Sequence, residues 1–166
     1  GNEWYFHNKK ILDFSTNYSK NFKSKLVVRN LPHLDDWNLS GQLKNISPNI
    51  VVESGGKSIQ EQLNDYPLII GTNPSTTMFD ILISKKPCIF FWPKSLWTFR
   101  SSAKKYYELL EKKKVLFFDE KKAINHLKTI YKSDINDWWH DKDRQKAIQK
   151  FLNHFCMIRK NYLDVW

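Results

Sequence analysis

The chain has 166 residues and a formal net charge of +10, with 41% hydrophobic and 15% aromatic residues. This length suits a single domain, and the apolar content excludes a disordered chain. Two cysteines, Cys88 and Cys156, cannot form a disulfide framework or a four-ligand zinc site. No apolar run approaches the roughly 20 residues of a membrane-spanning helix, and no signal peptide opens the sequence. We therefore expect a cytoplasmic protein.

The basic charge is the most conspicuous feature of the composition. Lys and Arg total 27 residues against 17 Asp and Glu. A positive field attracts phosphates, whether they belong to nucleic acid, nucleotides or anionic lipid headgroups. The alternative is a surface of solvated lysines without a ligand. The net charge alone does not distinguish a phosphate-binding protein from a protein whose surface lysines are only solvated.

Helical segments and short apolar segments alternate along the chain. Helices are predicted at 4–22, 57–64, 78–86, 101–113, 119–131, 135–139 and 141–158, with a short helix around Leu39 that Asp35 or Asp36 caps. Strands are predicted at 26–28, 50–52, 68–71, 88–92 and 115–118. Strands that are apolar on both faces and separated by helices indicate a parallel sheet covered on both sides. The predicted fold class is α/β, a doubly wound parallel sheet with extra C-terminal helices.

This pattern divides the chain into three parts. Residues 1–24 hold the N-terminal helix, residues 25–132 the α/β core, and residues 133–166 the aromatic C-terminal helices. The aromatic residues of the last part recur at helical spacing, which is typical of packing or of a docking face for another domain. They are Trp138, Trp139, Phe151, Phe155 and Tyr162.

Ligands of open α/β sheets bind at the carboxyl ends of the strands, beside helix N-termini. This rule selects three turns, at 30–33, 53–58 and 72–77. The last turn is rich in hydroxyls that suit a phosphate or ribose, namely Thr72, Ser75, Thr76 and Thr77, and Lys57 or Arg100 could add positive charge. Ordinary helix capping is the alternative, and composition alone favours it.

His33 lies in the first of these turns, after a strand and a proline. A lone histidine is usually a structural or surface residue, so the residue alone is weak evidence of chemistry. Its predicted position at the same edge of the sheet as the hydroxyl-rich turn strengthens the evidence that His33 has a functional role. Motifs for dinucleotides, P-loop phosphates, HExxH zinc sites, CxxC pairs and nucleophile elbows do not occur.

Four segments in this order resemble the C-terminal lobe of GT-B glycosyltransferases. They are LVVRNLPH at 26–33, KSI at 57–59, LIIGTNPSTT at 68–77 and PCIFFW at 87–92. The chain is most similar to a bacterial group of surface-carbohydrate transferases. Members of this group have a Trp-rich loop and an Arg-Ser-Ala after the last of these strands, similar to WTFRSSA at 97–103, and an Asp-x-x-x-Trp-Trp element, similar to DINDWW at 134–139. The layout is also similar to that of bacterial sialyltransferases, Kdo transferases and glycerophosphate polymerases. The resemblance implies a Rossmann-like lobe and covers about residues 26–155.

The resemblance also implies roles for individual residues. His33 is expected to contact the donor phosphate and to act catalytically, while Ser75, Thr76 and Thr77 hold phosphate or ribose. Glu53 or Ser58 is expected near the nucleoside. The donor is a nucleotide-activated sugar, CMP-linked as the first expectation, and the expected mechanism uses no metal or other cofactor. Charge that develops on the leaving phosphate is stabilised by the imidazole, the hydroxyls and a helix dipole.

The expected partners follow from the same resemblance. A GT-B enzyme also has an N-terminal lobe, and the family places a strand before the helix at 4–22; neither is recognisable in this sequence. We therefore expect a fragment, a degenerate remnant or a subunit that another chain completes, with a glycan or lipid-linked acceptor. The principal alternative is a non-catalytic module that docks a partner or an anionic membrane at the inner membrane face. Nucleic-acid binding ranks third, since no recognition motif supports it.

Overall fold

The computed structural model describes residues 2–30, 36–54 and 56–156. Eight α-helices and five strands follow one another in these ranges. They are α1 (Asn2–Asn21), β1 (Leu26–Asn30), α2 (Leu39–Ile46), β2 (Ile50–Ser54), α3 (Ile59–Gln62), β3 (Ile69–Gly71), α4 (Thr76–Ile83), β4 (Cys88–Phe91), α5 (Ser101–Lys112), β5 (Leu116–Phe117), α6 (Glu120–Ile130), α7 (Ile135–Trp139) and α8 (Lys142–Phe155). All five predicted strands are confirmed.

All strand pairs in the described residues are parallel. β1 pairs with β2, and β3, β4 and β5 pair in that order. The fold is therefore α/β with parallel strands and many helices, as predicted, and it is compatible with a Rossmann-like lobe. The strands form a two-stranded and a three-stranded sheet rather than the single sheet that the sequence indicates.

Strand β4 is the centre of the core because it is buried on both faces. Cys88, Phe90 and the following Trp92 belong to a cluster with α4, α5 and α8. The alternate residues Ile89 and Phe91 belong to a second cluster with α1 and α6. Since side chains alternate between the faces of a strand, a continuous apolar run requires helices on both sides of the sheet.

Helix α1 connects the two sheets. Its residues Phe14 and Tyr18 pack in the cluster over β4 and β5. Ile11 and Leu12 pack against the cluster of α2 and β2. The Phe14 ring stacks on Phe91 with 4.5 Å between ring centroids. One helix therefore covers one face of both sheets.

The aromatic residues of the C-terminal helices are packing residues where the structure describes them. Trp139 and Phe151 are buried in the cluster of α4, α5 and α8. The indole Nε1 of Trp139 donates to the carbonyl oxygen of Lys85 at 2.8 Å. Phe155 is half-buried against the same cluster, and Tyr162 lies outside the described residues.

Two local expectations are wrong. The cap of α2 is Asn38, whose side chain accepts from the Gly41 N–H, and not Asp36; Asp35 lies outside the described residues. Asn38 takes a left-handed conformation, which asparagine tolerates better than most residues. Strand β3 is half-buried, although its apolar run predicts a fully buried strand.

Gly71 ends β3 against the ring of Phe90. A Cβ at this position would overlap the ring, and Phe90 is completely buried and cannot move aside freely. We expect Gly71→Ala to lower the free energy of unfolding by about 1–3 kcal/mol, as overpacking does. Urea denaturation measures this, and the double variant Gly71→Ala/Phe90→Leu is the control. A loss that the smaller side chain does not reduce would contradict the steric explanation.

Candidate functional site

The candidate site lies at the carboxyl edge of the parallel strands. Within each sheet the strands are parallel, so the turns after β1 and β2 emerge at one edge of the first sheet, and the turns after β3 and β4 emerge at one edge of the second. The first edge lies at the N-terminal end of α1, where the ring of Tyr5 is 5.5 Å from that of Trp37, which follows β1. Helix α1 runs back to the start of β1, so its N-terminal end reaches the same edge. A contact between His7 of α1 and Trp97 after β4 confirms this, with 5.3 Å between ring centroids.

Glu53 is held firmly at the end of β2. Its carboxylate accepts hydrogen bonds from Gln62 Nε2 at 3.0 Å and from the Tyr66 hydroxyl at 3.3 Å. Partial burial and the nearby Glu53 charge raise the pKa of Tyr66. The carboxylate therefore has a fixed position and accepts further donors only on its remaining lone pairs.

Ser58 is a helix cap. Its side chain accepts from the Glu61 N–H, and the Glu61 carboxylate accepts from the Ser58 N–H at 2.6 Å, which is a capping box. This arrangement holds the pKa of Glu61 below its usual range. The capping alternative thus accounts fully for Ser58.

Lys57 stands beside this cap and is exposed. Its ammonium lies 3.5 Å from a carboxylate oxygen of Asp65, and its carbonyl oxygen accepts from Arg29 Nη2 at 2.8 Å. Arg29 is the neighbour of Glu53 in the paired strands. The structure therefore brings Arg29, Glu53 and Lys57 together, and Lys57 is not bound rigidly.

The hydroxyls at the start of α4, on its capping residue Ser75 and its first two residues Thr76 and Thr77, behave differently. Ser75 occupies the capping position of α4, yet its side chain makes no capping hydrogen bond. Ser75, Thr76 and Thr77 form no side-chain hydrogen bond with another described residue, and Ser75 and Thr77 are half-buried. The capping alternative is therefore wrong for Ser75. Three hydroxyls and the free N–H groups of a helix N-terminus remain unused by the fold here.

Thr72 and Arg100 are the remaining predicted site residues that lie within the described ranges. Thr72 is half-buried directly after β3. Arg100 precedes α5, is exposed, and its side chain neither caps that helix nor forms an ion pair with another described residue. His33 lies outside the described residues, so its expected role stays a prediction.

His7 is a residue at this edge that sequence reasoning missed. It is 4% exposed, packs edge-on against Trp4 and Trp97, and its Nδ1 has no hydrogen-bond partner among the described residues. Burial lowers its pKa to about 4. The spacing of His7, Ile11 and Phe14 places the histidine on the apolar stripe of α1, and that pattern could have identified it.

An Asp-x-Asp sequence, typical of metal-dependent transferases, occurs at 141–143 but has structural partners. Asp141 caps α8 by accepting from the Arg144 N–H at 2.9 Å. Asp143 pairs with Lys113 at 3.0 Å, which lowers its pKa. Among the described ranges, no three His, Cys, Asp or Glu side chains lie close enough to hold a metal ion.

Comparison with known proteins assigns the family. Residues 4–166 match the LIC12162 family transferases. The chain therefore belongs to the LIC12162 family of transferases. No curated protein and no solved structure matches it significantly. None of the helices in the described ranges has the length and hydropathy that crossing a membrane requires.

Two serines at helix starts give a direct test of the capping interpretation. We expect Ser58→Ala to lower the free energy of unfolding by about 0.5–2 kcal/mol, because it removes a capping box. Ser75→Ala should change it by less than about 0.5 kcal/mol, because no capping bond is lost. Chemical denaturation of the two variants measures both values. Equal losses would show that Ser75 also caps its helix.

Two histidines with lowered pKa values, the buried His7 and the half-buried His126, determine how stability depends on pH. Burial lowers the pKa of His7 to about 4; burial, with Arg144 and Lys114, lowers that of His126 to about 4. Between pH 6.5 and about 4 the unfolded chain therefore binds protons that the folded chain does not. Stability falls as the pH drops through this window, by roughly 2 kcal/mol per histidine after solvent screening is allowed for.

Thermal denaturation at pH 7.5, 6, 5 and 4.5 measures this dependence. His7→Phe should flatten the slope of stability against pH by about half, and the matched change of the exposed His140 should not. A slope that His7→Phe leaves unchanged would contradict the burial of a neutral imidazole.

Proposed function

We propose that this chain is the donor-binding lobe of a glycosyltransferase of the GT-B type. In this proposal it binds a nucleotide-activated sugar, with a CMP-linked sugar as the first expectation. The proposal is supported by membership of a transferase family, by the parallel α/β fold and by the chemistry at the carboxyl edge. A role in the synthesis of surface carbohydrates, which the sequence resemblance implies, belongs to the same proposal.

The unused hydroxyls at the start of α4 are the observation on which the proposal rests. Side-chain oxygens at a helix start normally satisfy the helix, as Ser58 does, whereas Ser75, Thr76 and Thr77 do not. The first N–H groups of a helix also attract anions through the helix dipole. A phosphate or ribose at this turn would use donors that the protein leaves free.

The proposed chemistry is stabilisation of the leaving phosphate. Departure of the nucleotide leaves negative charge on the phosphate while the sugar becomes cationic in character. The N-terminus of α4, the hydroxyl turn and the Arg100 guanidinium are donors that such a charge requires. We assign the same role to His33, and the proposed mechanism needs no metal.

Glu53 and Lys57 belong to the nucleoside side of the proposed site. The Glu53 carboxylate is fixed by Gln62 and Tyr66, which suits it to accept a hydrogen bond from a ribose hydroxyl or a base amino group. Lys57 has an exposed ammonium that can exchange Asp65 for a phosphate. The acceptor, a glycan or a lipid-linked glycan, is assigned to a second lobe or partner chain.

Calorimetry with four nucleotides tests the proposal. We expect the folded chain to bind CMP or CDP more tightly than UDP or GDP, and a nucleotide-sugar more tightly than its nucleotide. The titration is run at several salt concentrations, because a basic protein also binds anions without specificity. Absence of binding to all four nucleotides would reject the donor-site proposal.

Substitutions then locate the site. Ser75→Ala and Thr76→Ala should each weaken CMP binding by about 1–3 kcal/mol, which is roughly 5- to 150-fold in Kd, because each removes a hydrogen bond to the ligand. Thr129→Ala, an exposed threonine on α6, is the matched control and should leave Kd unchanged. If all three variants bind CMP equally well, the hydroxyl turn does not form the site.

An exposed aromatic patch favours a second function, a module that docks a partner or an anionic membrane. Trp4, Tyr5, Phe6 and Trp37 are 39–58% exposed, and the rings of Tyr5 and Trp37 lie 5.5 Å apart. Sedimentation with vesicles of phosphatidylcholine and phosphatidylglycerol distinguishes this function. If the chain docks to an anionic membrane, it should bind these vesicles in a salt-sensitive way. Trp37→Ser should weaken this binding, and Ser75→Ala should leave it unchanged.

A further inference from the structure

An open groove of about 450 Å³ lies between α5 and α8. The residues that line it are all polar, and none of them is acidic. They are Tyr106 from α5 and Lys146, Gln149, Lys150, Asn153 and His154 from α8. Both helices pack against the same apolar cluster, so the two sides of the groove are held in place by the core. The groove therefore presents positive charge and hydrogen-bonding groups to a ligand on a rigid support.

The basic side chains of α8 form a row along the helix. They follow one another at intervals of four residues, from Lys142 through Lys146 and Lys150 to His154. Residues at this interval are neighbours on a helix surface, and the row is about 18 Å long. No Asp or Glu occurs between 144 and 155. The three ammonium groups repel one another, and an anionic ligand along the row would relieve that repulsion.

The two lysines of the groove are free to bind a ligand. Nearby ion pairs use other lysines, since Lys104 pairs with Glu108 at 3.7 Å and Lys113 pairs with Asp143 at 3.0 Å. Lys146 and Lys150 are exposed, and neither forms an ion pair with another residue that the structure describes. A bound anion would therefore not have to displace a carboxylate of the protein from either ammonium group.

Two amide side chains give the groove groups that suit a hydroxyl. Gln149 Nε2 donates to Asn153 Oδ1 at 2.6 Å. This bond leaves Gln149 Oε1 as an acceptor and Asn153 Nδ2 as a donor, and both residues are exposed. A hydroxyl both donates and accepts, so it can bond to the two amides at once. The groove thus combines sites for anions with a site for hydroxyls.

The aromatic residues of the groove favour a glycan over a nucleic acid or a membrane. The ring of Tyr106 stacks on that of His154 with 3.9 Å between centroids, and the Lys105 ammonium lies 5.1 Å from the Tyr106 centroid. Tyr106 is therefore already covered and offers no open platform for a nucleic-acid base. The lining contains no exposed apolar side chain that could enter a lipid layer. A hydrophilic chain with anions and hydroxyls fits both observations.

One end of the groove lies near the start of α4. Phe155, which follows His154, is 6.1 Å from Phe79 of α4 between ring centroids, and 5.7 Å from Tyr106. Phe79 lies about one helical turn after Ser75. The basic row therefore begins near the hydroxyl-rich segment of the candidate site and runs away from it along α8.

We propose that the groove between α5 and α8 binds an acidic glycan, a carbohydrate chain whose sugars carry carboxylates. Lys146 and Lys150 bind the carboxylates, while Gln149 and Asn153 bind hydroxyls. The groove holds the part of the chain that extends away from the reacting end, which stays assigned to the second lobe or partner chain. The role of this glycan as acceptor rests on the proposed function, whereas its binding to the groove does not.

Calorimetry of the 166-residue chain with an oligogalacturonate tests the proposal. We expect this ligand to bind, and a neutral maltooligosaccharide of the same length to bind far more weakly. Lys146→Gln/Lys150→Gln should weaken oligogalacturonate binding about tenfold, because two exposed ionic contacts are lost. Lys121→Gln/Lys122→Gln removes the same charge from exposed positions on α6 and is the matched control. Its Kd should equal that of the unchanged chain.

A single substitution separates glycan recognition from attraction to any polyanion. Asn153→Ala should weaken oligogalacturonate binding by roughly 2- to 10-fold, because a hydrogen bond to a hydroxyl is lost. The same change should leave the binding of inorganic polyphosphate unaltered, since that ligand has no sugar hydroxyls. Equal effects on both ligands would overturn the assignment of the amides.

Two results would overturn the groove as a glycan site. One is an equal loss of affinity in the α6 and α8 double variants, which would show an effect of net charge alone. The other is tighter binding of polyphosphate, single-stranded DNA or phosphatidylglycerol vesicles than of oligogalacturonate at the same ionic strength.

The groove and the donor site fail separately. Ser75→Ala should leave the Kd of oligogalacturonate unchanged, and Lys146→Gln/Lys150→Gln should leave that of CMP unchanged. Glycan binding without nucleotide binding would reject the donor site and support the groove. Nucleotide binding without glycan binding would reject the groove alone.

Discussion

The structure depends on the burial of β4 on both faces. Phe90 and Trp92 require the cover of α4, α5 and α8, and Ile89 and Phe91 require that of α1 and α6. Helices can cover both faces of a parallel strand only when each connection crosses over the sheet, so every turn after a strand emerges at the carboxyl edge. The same packing that stabilises the core therefore gathers the chemically useful turns in one place.

Ser58 and Ser75 show that the same position at a helix start does not imply the same role. Ser58 and Ser75 both precede a helix after a strand, and residue type alone predicts a cap at each. Only Ser58 caps, through its reciprocal bonds with Glu61. At Ser75 the hydroxyl stays free beside Thr76 and Thr77. The difference is one of side-chain geometry, and it separates a structural turn from a candidate binding turn.

The sequence predicted the elements well because apolar periodicity determines them. The continuous apolar run at β4 and the hydroxyl-rich segment at the start of α4 could both be predicted from residue types. The separation of the strands into two sheets could not be predicted from residue types, because periodicity indicates which residues are buried and not which strands pair. The cap at Asn38 depends on a left-handed backbone that residue type does not reveal. His7 was not predicted because a polar residue type does not indicate burial, although its spacing from Ile11 and Phe14 places it on the apolar stripe of α1.

We propose that the segment 72–77 at the start of α4 binds the donor phosphate. Nuclear magnetic resonance of the labelled chain during a CMP titration tests it most directly. We expect saturable amide shifts that are largest for residues 72–77, including Ser75 and Thr76, with smaller changes around Glu53 and none in α6. Shifts confined to α6 and α8, or shifts that never saturate, would contradict it.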